Sequence, residues 1–580
     1  MSVSFPSSPK GARVLAWAAI AGLFVVATLV ALRPIWRMGG DHLTNSLEDP
    51  LFNLWVLKWG VHQIRLGLPD VWNANSFFPT RGTLTFSDHL LGPAALLALF
   101  EIVVPNAIAG YNFLLFTAFV ASALATVWVV RQGGRSWAAA VLAGWMFAFS
   151  PFRLSQIGHL QLLIAQWIPL TLWFWDRLLA ERRGRHALLF LLFYLLNLTG
   201  GCYLAYMIHF PLLALLVSRL ASEGRTIFSP RSLKVLAPVA VVALVAVAVL
   251  FLPYARVSRA HGLTRTPEEV EQYGATLTSY VQPAPQNVYF TAETREWLQS
   301  MLGVGPRFLN RTENSLFAGF LPTILFVVGA VTAWRRRRTA PPDPWTRGLV
   351  FSGLLCFALS FAPVYGVLMR VMPGLSGMRV PSRFYFFTSV TVVWFAAYGA
   401  DVLLQRLAKP RVRRAVATLL ILLAAAELLP HRLRWAALPR EEELPDAYRW
   451  IAREPSVKAV IELPIHADAS ETRYLYNSTV HWKPMANGFS GYDPPSHQAL
   501  VEHVHFLPEQ DGFDLLRNSW ITHLVVHAST PRREERLREW EGRFATGPER
   551  QVERVYQEED ITIYRLLDPP ASSRTPKRAG

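Results

Sequence analysis

Long apolar runs separated by short polar stretches dominate the first 430 residues. Several runs approach the roughly 20 apolar residues that span a bilayer as a helix. The spacing predicts spans near 12–33, 105–131, 136–151, 160–179, 186–199, 203–220, 234–253 and 415–430, among others. The polar breaks alternate in character. "RQGGRS", "RLLAERRGRH", "RRRR" (335–338) and "KPRVRR" (409–414) are strongly basic, as cytoplasmic loops are. Threading them gives about eleven crossings with the N-terminus inside. The first outer loop then covers 34–104, including an interfacial helix from Pro50 and an interfacial or re-entrant piece at 92–104, interrupted by Pro93 and Glu101. A long polar outer loop covers 254–313.

After residue 430 the pattern changes. "VKAVIELP", "ITHLVVHA" and "ITIYRLL" are short β-branched runs, and helical periodicity fills the segments between them. The expected architecture is a polytopic α-helical membrane domain, 1–430, followed by a small extracytoplasmic α/β domain, 431–570. A disordered tail, 571–580, completes the chain.

Composition agrees. Of 580 residues, 52% are hydrophobic and 17% charged, too apolar for a soluble chain of this length. The net charge of +16 sits mostly in short loops, which marks topology and attraction to anionic lipid and excludes a nucleic-acid surface. Cys202 and Cys356 both lie in apolar runs and imply no disulfide framework. No phosphate-cradling GxxxxGK[ST], strand-linked GxGxxG, HExxH or GxSxG is present. Nucleotide-driven pumping and most soluble-type hydrolysis are thereby removed.

The chemistry therefore falls to polar residues at the outer membrane edge. "GDHLTNSLEDPLFNLW" places Asp41, Glu48 and Asp49 beside the first span. Carboxylates are costly near hydrocarbon unless they meet water, a cation or a reacting group. Asp49 before Pro50 also suits a helix N-cap, whereas Asp41, after Gly39–Gly40, has no such structural role. "TFSDHLLGP" adds Asp88 and His89, and "SPFRLSQIGHLQ" adds Arg153 and His159. "GMRVPSRFYFF" puts Arg379 and Arg383 in an outer loop that positive-inside bias disfavours, so they need an anionic partner. A lipid phosphate fits the planar guanidinium fork. Pairing with Asp41, Asp88 or headgroups is the structural alternative. Arg265 and Tyr273 in the long outer loop are weaker candidates. Eight of fifteen histidines lie at or after His431. His503 and His505 sit in a helical pattern where alternate residues diverge, which favours packing over metal binding.

With the first-loop acids placed, the pattern resembles the GT-C superfamily of polytopic glycosyltransferases. "FSDHLLGP", "FSPFRLSQIGHLQLLIAQWIPL", "LFAGFLP", "MRVPSRF" and "VHWKPMANGFSGYDP" look like large bacterial membrane proteins described as YfhO-like or uncharacterised GT-C members. The resemblance implies an enzyme of the bacterial cytoplasmic membrane that moves a sugar, with inversion, from a polyprenyl-phosphate donor to an extracytoplasmic acceptor. Asp41 would be the general base and Asp49 its orienting partner. Asp88, His89, Arg153, His159, Arg265, Arg379 and Arg383 would bind substrate. No cofactor is required, and a divalent metal, if used, would fall to Asp41 and Asp49. The chain departs from the mannosyltransferase pattern in having Glu48–Asp49 instead of Asp-Glu. A flippase for lipid-linked sugars and a non-catalytic envelope assembly protein are the rival readings.

Overall fold

The computed structural model describes residues 10–44, 46–288, 291–302, 312–339, 342–431 and 433–568. The expected disordered tail, 571–580, lies outside the described residues. The chain divides into two compact units. One comprises Met1–Gly40, Leu90–Leu96 and Ala109–Trp435. The other comprises Asp41–His89, Leu97–Ile108 and Ala436–Gly580.

The first unit is helical. Among the described residues, six helices are long and apolar enough to cross a membrane: Gly11–Ala31, Ala107–Gln132, Trp137–Ser155, Cys202–Phe228, Pro230–His261 and Pro381–Gln405. Pro344–Leu359 and Ala362–Met369, bent by 91°, make a seventh if they count as one span. The expected total of about eleven also counted runs that form shorter helices, such as Gly184–Leu198. The run at 160–179 divides into Leu160–Leu163 and Trp167–Glu181, where Pro169 lies in the first turn that tolerates it. The expected long outer loop is shorter than its polar composition suggested. The helix before it runs on to His261, and a second helix, Pro267–Tyr273, begins six residues later.

Helix packing here relies on small residues. Helices Phe320–Arg336 and Tyr385–Gln405 approach at Gly329 and Gly399. A Cβ on Gly329 would sit 2.0 Å from the Phe395 carbonyl oxygen, and one on Gly399 2.0 Å from that of Leu325. Only glycine permits backbones this close. Glu427 caps the first of these helices: its carboxylate accepts the N–H groups of Phe320 and Leu321. A carboxylate is favoured there by the orphan donors and the helix dipole.

The second unit is built on a four-stranded sheet. Strands β1 (Val460–Leu463), β2 (His523–His527), β3 (Val552–Glu558) and β4 (Ile561–Leu566) lie in the order β1-β2-β4-β3. β1 and β2 are parallel, with Val460 opposite His523; the other pairs are antiparallel. Alternation sorts the side chains. Ile461, Leu463, Leu524 and Val526 enter an apolar core with Leu537, Trp540 and Phe544. Glu462 turns to the opposite face, where its carboxylate meets the Tyr448 hydroxyl (2.9 Å) and His527 Nε2 (2.7 Å). Helix Asp49–Arg65 packs against helix Glu471–Asn477 of the same unit. The helix expected to be interfacial is thus largely buried, from Pro50 to Gln63.

Candidate functional site

In the helical unit, Arg265, Arg379 and Arg383 gather around two carboxylates. Pro381 opens a short turn, Pro381–Phe384, that runs into helix Tyr385–Gln405 and holds Arg383 at its edge. The preceding loop is pinned by the Tyr365 hydroxyl, which donates to the carbonyls of Leu375 and Met378. The Arg265 backbone N–H donates to the Ser376 carbonyl at 2.9 Å, tying the 265 segment to this loop.

Glu269 and Glu313 are the anionic partners that the two MRVPSRF arginines require. Neither was a candidate in the sequence. Arg383 grips Glu313 with Nη2–Oε1 at 2.7 Å and Nε–Oε1 at 3.2 Å. Its guanidinium also lies over the Tyr203 ring at 4.4 Å. Glu269 takes Arg265 Nη1 at 3.0 Å and Arg379 Nη1 at 3.7 Å. Arg379 rests near the Tyr273 ring, 5.3 Å to its centroid, and its backbone N–H donates to the Tyr203 hydroxyl. Thr266 and Glu269 form a capping box that fixes the carboxylate. Burial pushes the Glu269 carboxyl upward, but the Thr266 N–H and the charges of Arg265 and Arg379 outweigh it and hold it below the usual range.

Of the three arginines Arg379 is the accessible one, its side chain 36% exposed against 9% for Arg265 and 8% for Arg383. The arrangement presents a braced cation flanked by tyrosines, suited to an anionic oxygen cluster.

The SPFRLSQIGH segment reaches this cluster through Gln156, whose Nε2 donates to Glu313 Oε2 at 3.2 Å. Arg153 serves a different purpose. It is fully enclosed, with Nε donating to the Ala148 carbonyl and Nη2 to that of Leu163. It braces the turn and does not snorkel at an interface. His159 flanks the short helix Leu160–Leu163, and its carbonyl accepts the Leu162 N–H.

The acids of the first loop belong to the sheet-bearing unit. Asp41 contacts His42 Nδ1 at 2.6 Å and keeps its side chain 49% exposed. Its carbonyl accepts the Leu438 N–H. Asp49 is the first residue of its helix, and Glu48 takes the flanking cap position without a side-chain bond. The cap expected at Asp49 is thus displaced by one residue. Asp88 and His89 are buried, with His89 edge-on to Trp72 at 6.1 Å. Among the described residues, no three His, Cys, Asp or Glu side chains converge to hold a metal.

The fold has known counterparts. The arabinofuranosyltransferase AftD from Mycobacteria is similar at a TM-score of 0.54 and 13% identity, over 95% of this chain and 40% of that one. This chain thus spans two fifths of that protein's length. The Archaeoglobus fulgidus oligosaccharyltransferase (TM-score 0.48, 14% identity) matches over 88% of this chain and 68% of its own. ArnT from Cupriavidus metallidurans (TM-score 0.44, 12% identity) matches over 97% of this chain and 99% of its own. The AftD likeness establishes a GT-C-type fold. No curated protein matches the sequence. Residues 19–428 match the family described as "Domain of unknown function (DUF6311)", and the chain belongs to that family.

Proposed function

We propose that this protein is a membrane glycosyltransferase that moves a sugar from a polyprenyl-phosphate donor to an acceptor outside the cytoplasm. The observation that carries the reading is the braced cluster of Arg265, Arg379 and Arg383, with Arg379 as its accessible cation. A GT-C-type fold is consistent with it.

In this reading the N-terminus is cytoplasmic, about eleven crossings are made, and the sheet-bearing unit is extracytoplasmic. The membrane is the bacterial cytoplasmic membrane, and the acceptor is a cell-envelope glycan, lipid or protein. Arg379 holds the donor phosphate, with Arg265 and Glu269 fixing its orientation. Arg383, neutralised by Glu313, stiffens the loop. The acceptor hydroxyl attacks the anomeric carbon, and the bond from that carbon to the phosphate oxygen breaks. Polyprenyl phosphate leaves with the electron pair, its new charge matched by Arg379. Asp41 takes the acceptor proton as general base. Its side chain is 49% exposed and contacts His42 Nδ1.

The test is a transfer assay on the purified chain with polyprenyl-phosphate sugars, following release of polyprenyl phosphate. Asp41→Asn should abolish release while donor binding persists. Arg379→Ala should weaken donor binding. Donor carried across proteoliposomes without release of polyprenyl phosphate would instead identify a flippase and end the proposal.

A further inference from the structure

The sheet-bearing unit contains a cavity of about 430 Å³, within the size range of small-molecule sites. Its wall carries both signs of charge. Lys58, Arg65, Arg440 and Arg449 supply cations, and Glu101, Glu441 and Glu442 supply carboxylates. The inner part is already paired: Lys58 Nζ lies 3.0 Å from Glu441 and 3.5 Å from Glu101, and Arg65 lies 2.8 Å from Glu101. The outer part is accessible: Arg440 Nη1 and Glu442 Oε1 stand 4.0 Å apart as a loose pair, and the side chains of Arg440, Glu442 and also Arg65 are more than two-fifths exposed.

The same wall continues into an apolar surface. Glu101 lies on the buried side of helix Leu91–Val103 and faces the cavity. Leu99, Ile102 and Val103 on the other side of that helix are 63%, 77% and 81% exposed. Three large aliphatic side chains so exposed, beside a charged hollow, match an amphiphile: chains along the helix, headgroup in the cavity.

We propose that this cavity binds the headgroup of a zwitterionic phospholipid with a primary ammonium. The phosphate is matched by Arg65 and Arg440, and the ammonium by Glu442. Arg440 and Glu442 present an accessible cation and an accessible carboxylate side by side, which matches a headgroup carrying both charges. This site is independent of the transferase reading, because its test measures lipid retention and not sugar transfer.

The full chain should be placed in nanodiscs with equal phosphatidylethanolamine, phosphatidylglycerol and phosphatidylcholine, extracted, and its retained lipid measured by native mass spectrometry. Phosphatidylethanolamine should be retained in preference. The double variant Arg65→Gln/Arg440→Gln should weaken retention about tenfold, the effect of about 1.4 kcal/mol. Glu442→Gln should remove the preference for phosphatidylethanolamine while phosphatidylglycerol stays bound. All three side chains are accessible, so the variants should fold. Equal retention of phosphatidylglycerol and phosphatidylethanolamine by the unaltered protein would overturn the proposal. So would an unchanged ratio in Glu442→Gln, or no retained lipid.

Discussion

Glu313→Gln tests whether the Arg383 pair is the desolvated brace its geometry implies. The two side chains are 8% and 9% exposed, and water screens them little. Arg383 donates through Nε and Nη2, and Gln156 adds a bond to the second carboxylate oxygen. Glutamine keeps the shape and removes the charge, leaving a guanidinium without its counter-ion. Breaking one side of a buried pair costs about 3–5 kcal/mol. The Tyr203 ring, 4.4 Å from the guanidinium, offsets part of this, by about 1–2 kcal/mol. The net expectation is a loss of about 1–4 kcal/mol. Denaturant unfolding of the chain in detergent, followed by tryptophan fluorescence, reads it. Arg383→Met should lose a similar amount. The double variant should lose less than the sum by about 1–3 kcal/mol, the coupling expected of contacting residues. A loss below about 0.5 kcal/mol in Glu313→Gln, or strict additivity, would refute the reasoning, since both describe a screened surface pair.

Other outcomes follow from the same structure. Arg153→Met should destabilise by about 2–4 kcal/mol, because the Ala148 and Leu163 carbonyls lose their donors; the same unfolding assay reads it. Glu427→Ala should cost about 1–2 kcal/mol through lost capping of helix Phe320–Arg336, with increased amide exchange at Phe320 and Leu321 as a local signature. The sheet-bearing unit should be most stable near pH 6.5. Burial pushes His481 down to about 3 and His497 and His523 to about 4, so the unfolded chain takes up protons first and stability falls as pH drops below about 6.5. Burial pushes the Glu471 carboxyl up to about 8, so its contribution is full below about 4.5 and is lost as pH rises to about 8. Glu471→Gln should remove the alkaline fall and leave the acidic one, as read by unfolding midpoints between pH 5 and 9.

Much of the helical unit was legible in the sequence because its apolar runs are long and its breaks carry Gly, Pro or Arg. Gly200–Gly201 separates helices Gly184–Leu198 and Cys202–Met207 as the pattern suggested. The need of Arg379 and Arg383 for anionic partners was also readable from charge placement. Their identity was not: Glu313 lies 70 residues from Arg383, and Glu269 reads locally as part of a capping box. Arg153 misled because an arginine at the outer membrane edge looks available to a ligand; two backbone carbonyls, invisible in sequence, allow its burial. Asp49 drew attention through the Asp-Pro start signal, which the helix satisfies one residue out of register. β-branched alternation located the strands, but not that segments 41–89 and 97–108 join them in one compact unit.

That last feature constrains biogenesis. The sheet-bearing unit draws on residues 41–89 and 97–108 and on residues from 436 onward. About 330 residues of chain must be synthesised between Ile108 and Ala436, which at 5–20 residues per second takes roughly 15–65 s. During that interval helix Asp49–Arg65, with Phe52, Trp55 and Trp59 on it, awaits partners such as Phe489 and Trp482 that do not yet exist. A ribosome that stalls before residue 436 therefore releases a chain with an uncovered aromatic helix near its N-terminus, a ready substrate for chaperones and membrane proteases.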